Sequence, residues 1–217
     1  MTERGLFITF EGVDGCGKST QMRRLASALR AHGHTVVETV EPGGTPIGAQ
    51  IRAILLDPAN AALGPRAELL LYFAARAQNV DEILEPAIAR GEIVLSDRWT
   101  DSTLAYQGWG RQLGEDVVQS LDAIACRGRR PDLTLWVDVD VDLALARAGA
   151  RNSAEANTAN RMDSQQRDFY LRVADAYRAL AEREPVRVRR VDGSGSLDAV
   201  FQAVWSTFQT WRARHVR

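Results

Sequence analysis

At 217 residues and 23.9 kDa, the chain has the length of one ordinary domain, with enough apolar sequence to bury a core without disulfides or structural metal. Its formal net charge of −1 and its 25% charged and 45% hydrophobic residues exclude a disordered chain and a global attraction to nucleic acid or anionic lipid. Cys16 and Cys126 form neither a disulfide framework nor a metal-spaced cluster, which suits a reducing cytoplasm. The start "MTERGLFITF" does not read as a signal peptide, and no apolar run approaches the ~18 residues needed to cross a bilayer. A soluble cytoplasmic protein is expected.

The first apolar run, "LFITFE" (6–11), predicts a strand, and the spacing of residues 18–32 predicts a helix. Between them, Gly12, Gly17, Lys18 and Ser19 match G-x-x-x-x-G-K-[ST] in the strand–loop–helix context that the motif requires. Such glycines let backbone N–H groups ring a phosphate, and the helix start adds its positive dipole end. Lys18 should then reach the β- and γ-phosphates and Ser19 should hold Mg²⁺. Lys18 is the only lysine among 27 Lys and Arg residues, which fits a need for a compact ammonium at that point.

A second strand is predicted at "TVVETV" (35–40), followed by a turn at "EPGG" and helices over 46–57 and 66–90. Arg52 lies off the apolar face formed by Ile51, Ile54 and Leu55 and reads either as a ligand-facing or as a solvated cation. Tyr72 and Arg76 stand four residues apart on one helix face. An aromatic ring there can stack a flat base and an Arg can donate to a base carbonyl; the bland reading is a core Tyr and a solvated Arg. The third strand, "EIVLSD" (92–97), delivers Asp97 and Arg98 to a strand end, where α/β folds place ligands. Ser102 with Tyr106, and Thr103 with Gln107, are again four apart. They form a polar stripe that reads base edges or is simply a wet helix face.

Further on, a helix is predicted over 114–127, strands at "LTLWVDV" (133–139) and "VRVRRVD" (186–192), and helices over 161–184 and 196–214. Residues 148–161, "AGARNSAEANTANR", are small, polar and weakly periodic and read as a mobile excursion. Alternating strands and helices argue for a mostly parallel sheet covered on both faces.

Taken together, "FEGVDGCGKST", "EPGGTPIGAQIR", "LLLYFAARAQ", "VLSDRWTDSTLAYQG", "RPDLTLWVDV" and the Asp192-Gly193 loop resemble bacterial thymidylate kinases over about residues 5 to 212. The resemblance implies an α/β, P-loop NTPase-type three-layer fold: one kinase domain over 1–217, with a five-stranded parallel sheet flanked by helices and a mobile lid at about 148–161. It implies transfer of the γ-phosphoryl of ATP to dTMP with Mg²⁺, no nucleic-acid or membrane partner, and a homodimer. Gly12, Val13, Asp14, Gly15, Cys16, Gly17, Lys18, Ser19 and Thr20 would hold ATP, with Arg147 against one side of adenine and the loop from Val191 to Gly195 bordering the other. Tyr72 would stack thymine, Arg76 meet a thymine oxygen and Thr103 face the base, with Ser102 and Gln107 in the same stripe. Tyr106 would favour deoxyribose, and Arg98 and Arg52 would hold the acceptor phosphate. Asp14 would accept from the sugar 3′-OH, while Asp97 would hold Mg²⁺ through water or only orient Arg98.

Beyond Lys18, the phosphate loop carries no cation to meet the charge that spreads in phosphoryl transfer. The resemblance implies that in such a family member a closing lid brings one; the candidates are Arg147, Arg151 and Arg161, with Arg151 first. Arg161 is the second, or else an anchor for the closed lid. Trp99 and Trp109 depart from the family's usual residues. Rival readings are another nucleoside or nucleotide kinase of the same fold, and a non-catalytic nucleotide-binding regulator, which would leave Tyr72, Arg76 and Thr103 without a purpose.

Overall fold

Five strands form in the expected order: β1 (Leu6–Glu11), β2 (Val36–Val40), β3 (Ile93–Asp97), β4 (Leu133–Asp138) and β5 (Val188–Asp192). The computed structural model describes residues 4–154 and 161–215. All strand pairs are parallel, in the order β2-β3-β1-β4-β5. β1 lies in the middle and is buried at every residue, whereas the edge strands β2 and β5 alternate between buried and more exposed positions. That difference explains why "LFITFE" is almost continuously apolar while "VVETV" and "VRRVD" are mixed.

Helices flank this sheet. α1 (Lys18–Ala31) packs with α9 (Leu197–His215) against it. A second group comprises α3 (Pro65–Asn79), α4 (Glu85–Ala89), α5 (Thr100–Thr103), α6 (Glu115–Cys126) and α8 (Arg167–Arg183). α2 (Pro46–Leu56) starts on Thr45, whose hydroxyl accepts from Gly48 N at 2.9 Å, and Pro46 fills the first helical position, where its missing N–H costs nothing.

Register sets the site. Phe10 pairs with Asp97, Val40 also pairs with Asp97, and Glu11 pairs with Trp136. β2 and β3 therefore end level with Phe10, and the next row holds Glu11, Glu41 and Arg98. Backbone bonds from Arg98 N to Phe10 O (3.0 Å) and from Glu41 N to Asp97 O (2.9 Å) hold that row.

Three local expectations change. The single helix over 66–90 is interrupted by a π-helical turn at Val80–Leu84 before α4. Pro86 has no N–H to donate and its ring crowds the carbonyl four residues back; the wider turn relieves that conflict. The stretch after Trp99 is α5 followed by a π-helical segment, Leu104–Gly110, so the turn there is wider than in the regular helix expected. The polar excursion begins later than 148, because α7 (Val141–Ala154) continues through it; the Ala- and Leu-rich "LALARAGA" has high helix propensity. Residues 155–160 of the expected lid lie outside the described residues, and Arg161–Ser164 form a 3₁₀ turn.

α7 sits directly on the phosphate loop. A Cβ on Gly15 would lie 2.0 Å from the Ala144 carbonyl oxygen, and Gly15 has φ +84°. Gly15→Ala is expected to destabilise the fold by at least about 1 kcal/mol, since both the backbone angle and the contact oppose a side chain. Urea unfolding measures this; an unchanged midpoint would mean that α7 does not rest on the loop.

Candidate active site

Residues 12–17 turn the chain from β1 into α1, with Gly12, Gly15 and Gly17 at φ +139°, +84° and +94°. Val13 O accepts from Cys16 N at 3.3 Å and from Lys18 Nζ at 3.5 Å, and buried Lys18 lies 3.7 Å from Asp14. α1 has no side-chain cap and no acid in its first turn. Its N–H groups and positive dipole end are thus left to an outside acceptor, the setting of an anion site. Cys16 is buried and burial pushes its thiol up, so it acts as packing.

Ser19 donates to the Asp97 carboxylate at the loop's edge. Hard cations prefer oxygen, and Mg²⁺ at phosphates takes one or two protein oxygens plus water and substrate. Among the described residues no group of three His, Cys, Asp or Glu could hold an ion. The hydroxyl–carboxylate pair could hold Mg²⁺ alongside phosphate and water oxygens.

Arg98 is the hub. It holds φ +75°, a costly angle for a residue with a side chain. Its guanidinium donates to Asp14 at 2.7 Å, Ser102 at 2.8 Å, Gly12 O at 3.1 Å and Tyr106 OH at 3.1 Å. Tyr106 in turn donates to the other Asp14 oxygen at 3.0 Å and lies under the guanidinium, 4.7 Å from ring centre to Cζ. Burial alone would raise the Asp14 carboxyl, but Arg98 and Lys18 hold it well below the usual carboxylate range.

One cavity brings together Asp14, Arg52, Tyr72, Arg76, Arg98, Ser102, Thr103, Tyr106 and Gln107. The solvated alternatives for Arg76 and for the 102–107 stripe fall away, because Arg76, Ser102, Thr103, Tyr106 and Gln107 are all buried. Arg76 donates to Thr103 at 2.9 Å and to Thr100 at 3.3 Å. Gln107 donates to Glu68 at 2.8 Å, and Ser102 bonds the Glu11 carboxylate and Tyr177 OH. Arg52 is only half-buried and donates to Pro42 O at 2.7 Å. Burial pushes the Tyr72 hydroxyl up to about 12, with Glu68 adding to the effect, so it stays neutral.

A second cavity is lined by Lys18, Ser19, Asp97 and Arg151, together with Asp14, Glu41, Arg52, Leu56 and Arg98, which also line the first. Arg151, in the last turn of α7, stands exposed on its wall. Arg161 is placed elsewhere: it is buried, ion-paired with Glu68 and bonded to Leu55 O at 3.0 Å. Arg147 donates to Gly193 O at 3.1 Å, which brings α7 against the 191–195 loop.

Sequence reasoning passed over three acids. Glu68 is fully buried and binds Gln107, Arg111 and Arg161; its signal was its position four residues before Tyr72. Glu11 closes an otherwise apolar strand, and burial, reinforced by Asp101, pushes its carboxyl up to about 8. Glu41 reads as a turn residue in "EPGG", yet it is buried, and burial raises it to about 8 against the pull of Arg76.

Comparison with known proteins adds a family. The thymidylate kinase family model matches residues 10–204. The thymidylate kinase of Geobacter sulfurreducens is 51% identical over 92% of this chain and 94% of its own length. That of Solidesulfovibrio magneticus is 50% identical over 92% and 97%. The crystal structure of thymidylate kinase from Ehrlichia chaffeensis superposes with a TM-score of 0.75 at 31% identity, covering 94% of this chain and 98% of the other.

Glu11 gives the site a pH signature. Its folded pKa, about 8, lies above its usual 4.5. The folded state therefore binds more protons than the unfolded one between those values, and this contribution to stability is lost as pH rises through them. Glu11→Gln, which keeps the shape and cannot ionise, should gain stability relative to the parent between pH 5 and 8. Urea unfolding at pH 5, 6.5 and 8 reads it; a parallel pH profile would contradict a raised Glu11.

Proposed function

This chain belongs to the thymidylate kinase family, and from that premise we propose that it transfers the γ-phosphoryl of ATP to dTMP, giving ADP and dTDP for dTTP synthesis. The observation that carries the reading is the shared wall of the two cavities. Asp14, Glu41, Arg52, Leu56 and Arg98 border both the phosphate cavity and the acceptor pocket. A donor phosphate and an acceptor phosphate can meet across that wall.

In this reading the phosphate-loop N–H groups, with Thr20 at the start of α1, cradle the triphosphate. Lys18 reaches its β- and γ-oxygens, and Arg147 lies against adenine. Mg²⁺, held from Ser19 and through water from Asp97, supplies charge neutralisation when bound. Tyr72 stacks thymine, Arg76 donates to a thymine oxygen, and Thr103 and Gln107 border the base. Tyr106 occupies the space a 2′-OH would need. Asp14, held ionised, accepts from the 3′-OH. Arg98 and Arg52 place the acceptor phosphate so that one of its oxygens faces the γ-phosphorus. That oxygen already carries negative charge, so no general base is required; the new P–O bond forms as the bond to ADP breaks. Arg151 meets the charge that spreads during transfer. Arg161, tied to Glu68, anchors the chain where it returns from residues 155–160.

The same proposal treats the chain as one domain, cytoplasmic and dimeric. The apolar residues Leu70 on α3 and Val117 and Ile124 on α6 are exposed, Ile124 at 76%, and the two helices pack side by side, which supports a second copy on that face. Sedimentation at the mass of a single chain would remove the dimer from the account.

A coupled ADP-release assay tests the activity: dTMP should be the best acceptor, dUMP a poorer one and purine monophosphates inactive, with Lys18→Ala abolishing turnover. Arg151→Ala should lower kcat by roughly 10³-fold with dTMP KM nearly unchanged. Preferential use of a purine monophosphate would defeat the proposal, and a near-parental kcat for Arg151→Ala would move the transfer cation elsewhere.

A further inference from the structure

The acceptor pocket holds a buried carboxylate for which the mechanism above has no use. Glu41 is 1% exposed, and neither carboxylate oxygen has a hydrogen-bond partner. It sits one residue past β2, with its backbone fixed by the bond from Glu41 N to Asp97 O. Opposite, 3.7 Å from Glu41 Oε2, lies Nε of Arg76, which also has no hydrogen-bond partner.

The surroundings of Arg76 explain what such an acid does. The guanidinium Cζ lies 5.0 Å from the centre of Phe73 and 5.2 Å from that of Trp99, and such ring contacts attract the cation without choosing its in-plane direction. Thr103 and Thr100 each accept one bond from the Nη atoms, but hydroxyls turn freely and accept from a range of directions. The Glu41 carboxyl, held 3.7 Å away on the Nε edge, selects one of the in-plane orientations. As a source of stability, a buried polar pair is a poor choice beside apolar packing, and fixing a geometry is its better-attested use.

We infer that Glu41 is a positioning residue for base recognition: it sets the direction of the Arg76 guanidinium, and through it the preference for a pyrimidine with a carbonyl over one with an amino group at the position Arg76 reads. The inference rests on the reading that Arg76 meets the acceptor base. Arg52, the other cation beside this pocket, is turned to Pro42 O and serves the phosphate side.

The test compares the parent, Glu41→Gln and Arg76→Met by KM for dTMP, KM for dUMP, KM for ATP and the inhibition constant of dCMP against dTMP. Glu41→Gln should shrink the dTMP-over-dCMP preference about tenfold, the scale set by one misdirected polar contact. The dTMP-to-dUMP ratio should stay near parental, since the 5-methyl group lies outside this contact. Glu41→Asp, which keeps the carboxyl but withdraws it, should fall between, and serves as the readout if the Gln variant does not fold. A dCMP preference within twofold of parental in Glu41→Gln, while Arg76→Met abolishes it, overturns the role of Glu41 alone. An unchanged preference in Arg76→Met overturns the base reading and this inference with it. Equal weakening of all three nucleotides overturns positioning in favour of a general structural effect.

Discussion

The ion pair between Arg98 and Asp14, at 2.7 Å, joins the end of β3 to the phosphate loop that follows β1. Everything else in the site is arranged around it. Parallel register brings Asp97 level with Phe10, so Arg98 emerges beside Gly12 and can bond its carbonyl. To do so the residue adopts φ +75°, a strain of order 1–3 kcal/mol that the converging bonds to Asp14, Ser102, Gly12 and Tyr106 offset. Such pre-organisation removes reorientation from the moment of reaction.

Charge follows from the same junction. An acid inside a phosphate loop would repel the triphosphate if it faced the loop centre unpaired. Arg98 and Lys18 hold Asp14 ionised on the acceptor side, where an acceptor-only group can receive a sugar hydroxyl. The loop keeps one compact ammonium, and further positive charge comes from α7, whose close seat on Gly15 aims Arg151 at the phosphate cavity. Behind the pocket, Glu68 gathers Gln107, Arg111 and Arg161, tying the acceptor wall to the residues that follow 155–160.

Much of this was legible in the sequence wherever a feature is local. The glycine loop declares itself because positive φ at Gly12, Gly15 and Gly17 requires glycine within a short span. Tyr72 and Arg76 declare themselves through helical spacing. The order of strands and helices follows from apolar runs separated by turn residues. What stayed hidden depends on partners far apart in the chain. Glu68 meets Arg111 and Arg161 from other elements; Glu41 owes its burial to β3 and α3; Glu11 answers to Ser102 and Tyr177. Apart from the place of Glu68 four residues before Tyr72, no local pattern distinguishes these acids from solvated ones. The π-helical segments at 80–84 and 104–110 were also unreadable, because a widened turn leaves no distinct residue code. The second of them widens the turn after Thr103, yet Ser102 and Tyr106 still meet at the Arg98 guanidinium.

The central claim is that Asp14 and Arg98 act as one unit at the meeting of donor and acceptor. A double-mutant cycle in kcat/KM for dTMP with Asp14→Asn, Arg98→Met and the combined variant tests it most directly. If the two form one unit, the combined variant loses little more than the worse single one. Losses that multiply, each residue costing its full factor in the absence of the other, would contradict the account.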